Sequence, residues 1–167
     1  LPICEYLGLY RYGDRVIFSY RLGNTVYLDA PTVKDGKFHR VVAPLQEHPD
    51  REHLRGGSPQ WPQQVITRGR VGEGSPYAVD TISLPFDNPW KALIYCGGHD
   101  FLSDGSALVC TMQGDVWRAT GLDEDLGRVV WRRFASGLHQ ALGLVVQNDQ
   151  VYVIGRDQLT QLHDLNG

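Results

Sequence analysis

"GLHQALGLVVQNDQVYVIGRDQLTQLHDLNG", Gly137 to Gly167, reads as one unit of a repeat. Its apolar segments "LGLVV" (142–146), "QVYVIG" (150–155) and "QLTQL" (158–162) are separated by polar turns. Upstream, "FLSDGSALVCTMQGDVWRA" (101–119) aligns with it: Phe101 falls on Leu144 at an offset of 43, and Gly114 on Gly155 at an offset of 41. An interval in the low forties, with two hairpins per unit, lies in the range of propeller blades.

Working outward, short segments rich in β-branched and aromatic residues fill most of the chain. Examples are "RVIFSY" (15–20), "YAVDTISL" (77–84), "KALIYC" (91–96) and "SALVCTM" (106–112). Turn formers bound them: "GN" at 23–24, "KDGK" at 34–37, "SDGS" at 103–106 and "QGD" at 113–115. Only "HPDREHLR" (48–55) suggests a helix, of about two turns starting at Pro49. Segments such as "ALVCTM", apolar almost throughout, suit strands covered on both faces. The expected fold is all-β, made of consecutive four-stranded antiparallel sheets that form an incomplete part of a larger β-propeller. Residues 1–45 are expected to form a β-meander or first blade, 46–76 a long loop or insertion, and 77–167 two consecutive blades. Val109 and Tyr152 are expected in equivalent central strands.

Composition narrows the function classes. The 167 residues are 42% hydrophobic and 21% charged, with a net charge of −3 and a pI near 6.0. That profile lacks the basic surplus of a nucleic-acid binder, and no apolar run approaches the ~20 residues of a membrane span. The absence of an initial Met or signal segment suggests an excised piece with any export signal upstream. Cys4, Cys96 and Cys110 fit no zinc or haem spacing. Cys96 and Cys110 fall in neighbouring strands, as a disulfide or as two buried thiols.

The polar residues that could carry chemistry sit in "GGHDF" and "GLHQA". His99 with Asp100, and His139 with Gln140, are expected in loops that precede inner strands. Side chains of such loops would converge on the propeller axis, as metal ligands or as a general base for oxidising an alcohol. The alternative is that each histidine caps a turn. Arg156 and Asp157 fall in a hairpin turn. Trp117 and Trp131 read as packing, and Trp61 and Trp90 as packed corners or as exposed platforms for sugar rings. "HPDREH" has one residue too many for the inverted zinc motif.

The 137–162 unit resembles a blade of soluble glucose and sorbosone dehydrogenase-like propellers, with Ala141 where a proline is common. A longer resemblance is carried by "YRYGDRVIFSYRLGNTVYLDAP", "LPFDNPWKALIYCGGHDFLSDGSALVCTMQGDVWRATGLD", "WRRFASGLHQALGL" and "GRDQLTQLHDLNG". These are similar to a propeller region of large exported proteins of planctomycetes and related bacteria. Such proteins are labelled membrane-bound or sorbosone-type dehydrogenases and often carry c-type cytochrome domains. The resemblance implies a periplasmic or extracellular parent that oxidises a sugar or alcohol, with pyrroloquinoline quinone or haem as cofactor. Its partners would be the remaining blades and a cytochrome domain, and the fragment alone would be inactive. A non-catalytic propeller module that binds carbohydrate or protein is the alternative. In the related proteins "DLNG" runs on into a calcium-type loop, so Asp164 and Asn166 are the expected start of a Ca²⁺ site in the parent, with a plain polar turn as the alternative.

Overall fold

The computed structural model describes residues 3–165. The chain forms two compact units, Leu1–Gln60 with Leu165–Gly167, and Trp61–Asp164. Every sheet is antiparallel. Among the described residues no helix is long and apolar enough to cross a membrane.

In the first unit β1 (Cys4–Tyr12), β2 (Arg15–Leu22), β3 (Thr25–Lys34) and β4 (Lys37–Pro44) form a meander in chain order. Its turns follow the sequence signals. Between β3 and β4, Asp35 and Gly36 have φ of 52° and 70°, the left-handed pair that Asp-Gly accommodates and whose twist matches the flanking strands. A bulge between Tyr6 and Gly8 interrupts the ladder of edge strand β1, a device that discourages pairing with further strands. Ile17, Leu28 and Ala30 form the core of one face, under Leu45 and Leu54 from the segment after β4.

That segment contains a five-residue 3₁₀ helix, Arg51–Arg55, in place of the expected two-turn helix. The reason is local. The Asp50 amide donates to His48 Nδ1 at 3.0 Å, which draws the chain into a turn, and Gly56 at φ 80° ends the helix.

The second unit holds two sheets. Strands β5 (Gln64–Thr67), β6 (Cys96–Phe101), β7 (Ala107–Thr111), β8 (Val116–Thr120) and β9 (Val129–Ala135) form a sheet in the order β5-β9-β8-β7-β6. Strands β10 (Gly143–Gln147), β11 (Gln150–Ile154) and β12 (Leu159–Leu162) form the other. The sheets thus have four, five and three strands where four each were expected. β5 also falls inside the stretch read as a loop. It is held there because Trp131 Nε1 donates to the Thr67 hydroxyl at 3.0 Å, which in turn donates to the Ser83 carbonyl at 2.8 Å.

The two faces of the larger sheet have separate cores. On one, Ala107, Trp117, Ala119, Val129 and Trp131 pack under Ile94, with Leu84, Trp90 and Ala92 around them. On the other, Leu108, Cys110 and Val116 meet Val151 and Val153 of the smaller sheet and Ala141 of the loop before it. Val109 and Tyr152 do occupy second strands of successive sheets, yet both point away from this shared core. Val109 packs with the first core, and Tyr152 alternates with inward-facing Val151 and Val153.

Two expected strands did not form. Residues 77–84 contribute only the bridge between Thr81 and Arg70. With Tyr77 and Val79 at 86% and 73% exposure, no neighbouring strand satisfies their backbone, and propensity alone does not make a strand. Residues 91–95 are held as a loop instead. Asn88 donates to the Ala92 carbonyl and accepts from its amide, both at 2.9 Å, and Lys91 is left-handed at φ 51°.

All three cysteines are free thiols. Cys110 faces Gly98 across the β6–β7 ladder while Cys96 faces Thr111, so the two are not direct cross-strand partners. Cys110 is buried and its thiol donates to the Ala141 carbonyl at 3.7 Å. Cys96 is exposed, so a pair of buried thiols is not what forms either.

Candidate functional site

β6 runs alongside β10 in the same direction. A Cβ on Gly97 would lie 2.3 Å from the Ala141 oxygen, and one on Gly98 2.8 Å from the Leu144 nitrogen. Only glycines permit this approach, so "GGHDF", which reads as a loop, is an edge strand. His99 therefore lies within β6, opposite Val109, exposed, with its ring edge-on to Phe101 at 6.3 Å. Asp100 accepts from the Val146 amide of β10 and from the Phe101 amide, both at 2.8 Å. Those two bonds hold its carboxyl below the usual carboxylate range, Val146 contributing most.

His139 is in the loop before β10, at the other end of that strand. The Leu138 amide donates to the Gly114 carbonyl in the β7–β8 turn at 3.0 Å, and Arg156 in the β11–β12 turn donates its amide to the His139 carbonyl at 2.9 Å. His99, by contrast, is three residues ahead of the β6–β7 turn. His99 thus sits in the body of β6, level with the middle of β10, whereas His139 lies in the loop ahead of β10.

What assembles around His139 is a small polar rim. His139 Nδ1 lies 3.9 Å from Asp157 Oδ2, with both side chains more than half exposed (56% and 55%). Gln140, left-handed at φ 48°, accepts from Arg156 Nη1 at 3.4 Å. Arg156 and Asp157 thus engage the loop before β10 rather than each other. Tyr95 joins the same end: its carbonyl accepts from the Met112 amide at 2.8 Å, and its amide donates to Gln113 Oε1 at 3.3 Å. The signal that could have located this end is "QGD", because Gly114 is the residue that lets the Leu138 loop approach.

The Arg133 guanidinium lies over the rings of both Trp61 and Trp90, 5.4 and 5.5 Å from their centroids. Arg133 Nη2 also donates to both Asp115 oxygens, at 2.6 and 2.8 Å. A cation–π contact of this kind occupies a face of each ring that a sugar would need. A second cluster, built on "HPDREH", sits in the first unit. His48 is buried and uses both ring nitrogens on backbone, accepting from Asp50 and lying 3.2 Å from the Val41 carbonyl. Asp50 meanwhile binds Arg15 and His53 Nδ1.

Asp164 is a described residue with a polar or ring contact of its own, and Asn166 lies outside the described residues. Among the described residues no group of three or more His, Cys, Asp or Glu side chains is arranged to hold a metal ion. No family model matches the chain, and no curated protein or solved structure matches it either.

Proposed function

We propose that this chain is a propeller-type module of an exported, dehydrogenase-like protein, and that its His139–Gln140–Arg156–Asp157 rim binds the hydroxyl groups of a sugar or alcohol. The observation that carries the reading is the rim itself. Two exposed pairs, Arg156 with Gln140 and His139 with Asp157, set a cation, an amide, an imidazole and a carboxylate side by side, and neighbouring donors and acceptors of this kind suit vicinal hydroxyls. The stacking of two successive antiparallel sheets, with β6 and β10 side by side as inner strands, supports the propeller part.

Binding rather than turnover is assigned to the chain by itself. Oxidising an alcohol needs a base and an electron acceptor at one place, and His99, within β6, is not among the residues that contact the His139 loop. The described residues do not fit haem attachment, since no two cysteines are spaced C-x-x-C-H. Asp164 and Asn166 would supply only part of the 6–8 oxygens that Ca²⁺ takes, so a calcium site beginning there would draw its remaining ligands from the parent. A quinone or haem would therefore be held elsewhere in the parent.

Chemical-shift mapping of the chain with monosaccharides and short polyols tests this. Shifts confined to residues 138–140 and 155–157 are expected. Saturating ligand that leaves those signals unmoved would remove the proposal. Val145, Ile154 and Leu159 expose 51%, 48% and 64% of their surface on the outer face of the small sheet, which favours protein binding as the second reading. Shifts confined to that face on adding other domains of the parent would support it.

A further inference from the structure

We propose that the β10–β12 sheet is an acid-releasable element, held on the β5–β9 sheet by a reciprocal carboxylate clasp. Each sheet supplies one carboxylate to the other's backbone. Asp100 of β6 accepts from the Val146 amide of β10 at 2.8 Å. Asp149, in the β10–β11 turn, accepts from the Ser103 amide at 2.8 Å and from the Ser103 hydroxyl at 2.5 Å. All three bonds lie at the end opposite the His139 rim, so the inference does not rest on the sugar-binding reading.

The asymmetry of the cores makes release local. The larger sheet keeps a complete core under Ile94 and Trp90 when the smaller sheet leaves. The smaller sheet has no second core: Val151 and Val153 are buried only against Leu108, Cys110, Val116 and their neighbours. Undocked, the three short strands would expose their one apolar face, Val151 and Val153 included, to water, so undocking and unfolding of β10–β12 coincide as one cooperative sub-global opening.

The charges set the direction. Asp149 is held below the usual range chiefly by the Ser103 hydroxyl, then by its amide, while neighbouring Asp104 opposes this. Asp100 is lowered by the Val146 and Phe101 amides, and His99 beside it adds to the effect. Both carboxyls bind protons more weakly when docked than when free. Their contribution is therefore complete above the ordinary Asp value of about 3.9 and is lost as pH falls through the lowered values. Asp104 is pulled down to about 2 by Ser106 and Arg118. It ties the β6–β7 turn to β8 within the larger sheet.

Native-state hydrogen exchange of the full chain, corrected for the intrinsic pH dependence of exchange, tests the clasp. Between pH 4 and pH 3, opening measured at Val146 and Val153 should rise by up to about tenfold per pH unit for each proton taken up, with little change from pH 5 to pH 4. Amides of Trp117 and Trp131 should keep their protection. In the Asp100→Asn/Asp149→Asn double variant, which keeps an acceptor oxygen at each position but cannot titrate, this rise should vanish. If amides of both sheets lose protection together, or if the double variant keeps the wild-type pH profile, the clasp is not the releasing element. Should the double variant fold poorly, Asp149→Asn alone decides: it should remove about half of the logarithmic slope at Val153, and an unchanged slope overturns the proposal.

Discussion

Gly114→Ala should be among the more damaging methyl additions in residues 61–164, and Gly105→Ala supplies its control. Both glycines are left-handed, at φ 92° and 80°. A Cβ at Gly105 meets nothing within 4 Å, whereas one at Gly114 would stand 1.8 Å from the Leu138 oxygen. Backbone strain alone costs about 1–2 kcal/mol for a non-glycine residue in this region, and this is all that Gly105→Ala should show. At Gly114 the Leu138 loop must also withdraw, losing the Leu138 amide bond to Gly114, worth about 0.5–1.5 kcal/mol, together with packing of Leu138 on the shared core. The expected total is about 2–4 kcal/mol. Urea unfolding followed by tryptophan fluorescence reads this directly, because Trp61, Trp90, Trp117 and Trp131 all belong to the second unit. Midpoints should shift with unchanged slope. Equal destabilisation by the two substitutions would refute the close approach of Leu138, and with it the placement of the His139 loop.

Two further outcomes follow from buried groups. Asp115→Asn should destabilise the second unit by about 3–5 kcal/mol, since it leaves the Arg133 charge uncompensated beside Trp61 and Trp90. Thermal melts with a double-mutant cycle through Arg133→Met check it, and additive losses would show that the two side chains do not interact. A thiol reagent should titrate Cys4 and Cys96 in the folded chain and reach buried Cys110 only on unfolding. Three thiols reacting at one rate, or only one reacting, would contradict the positions described.

Turn chemistry was the most legible part of the sequence. "KDGK" and "SDGS" each close a hairpin, because the left-handed residues a short turn needs are written into the residue types. Segments 107–111 and 116–120 were legible as well, since burial on both faces leaves no polar alternation. What failed depended on partners. "YAVDTISL" has the composition of a strand but no neighbour to pair with, while "QVIT" at 64–67 is short and acquires a neighbour, β9, from more than sixty residues downstream. "GGHDF" misled because its glycines serve a close approach to β10 that no local pattern announces.

The repeat offset of 43 was misleading for a different reason. Neighbouring residues of a strand face opposite sides, so an error of one reverses every side chain. A rotation that relates the two sheets must carry Val109, on the face away from the shared core, onto a residue of β11 facing that core. Val151 or Val153 satisfies this and Tyr152 does not. The entry-loop reading was half legible: His139 and Gln140 do lie in the loop before β10, whereas His99 and Asp100 lie within β6, and only the path of the chain separates the two cases.

Monosaccharide affinity compared across wild type, Arg156→Ala and His99→Ala tests the rim most directly. Losing a charge-assisted hydrogen bond costs about 1.5–3 kcal/mol, so Arg156→Ala should weaken binding by roughly tenfold or more. His99→Ala, within β6 and outside the rim, should bind as the wild type does. Equal weakening by both substitutions, or no weakening by Arg156→Ala, would contradict the account.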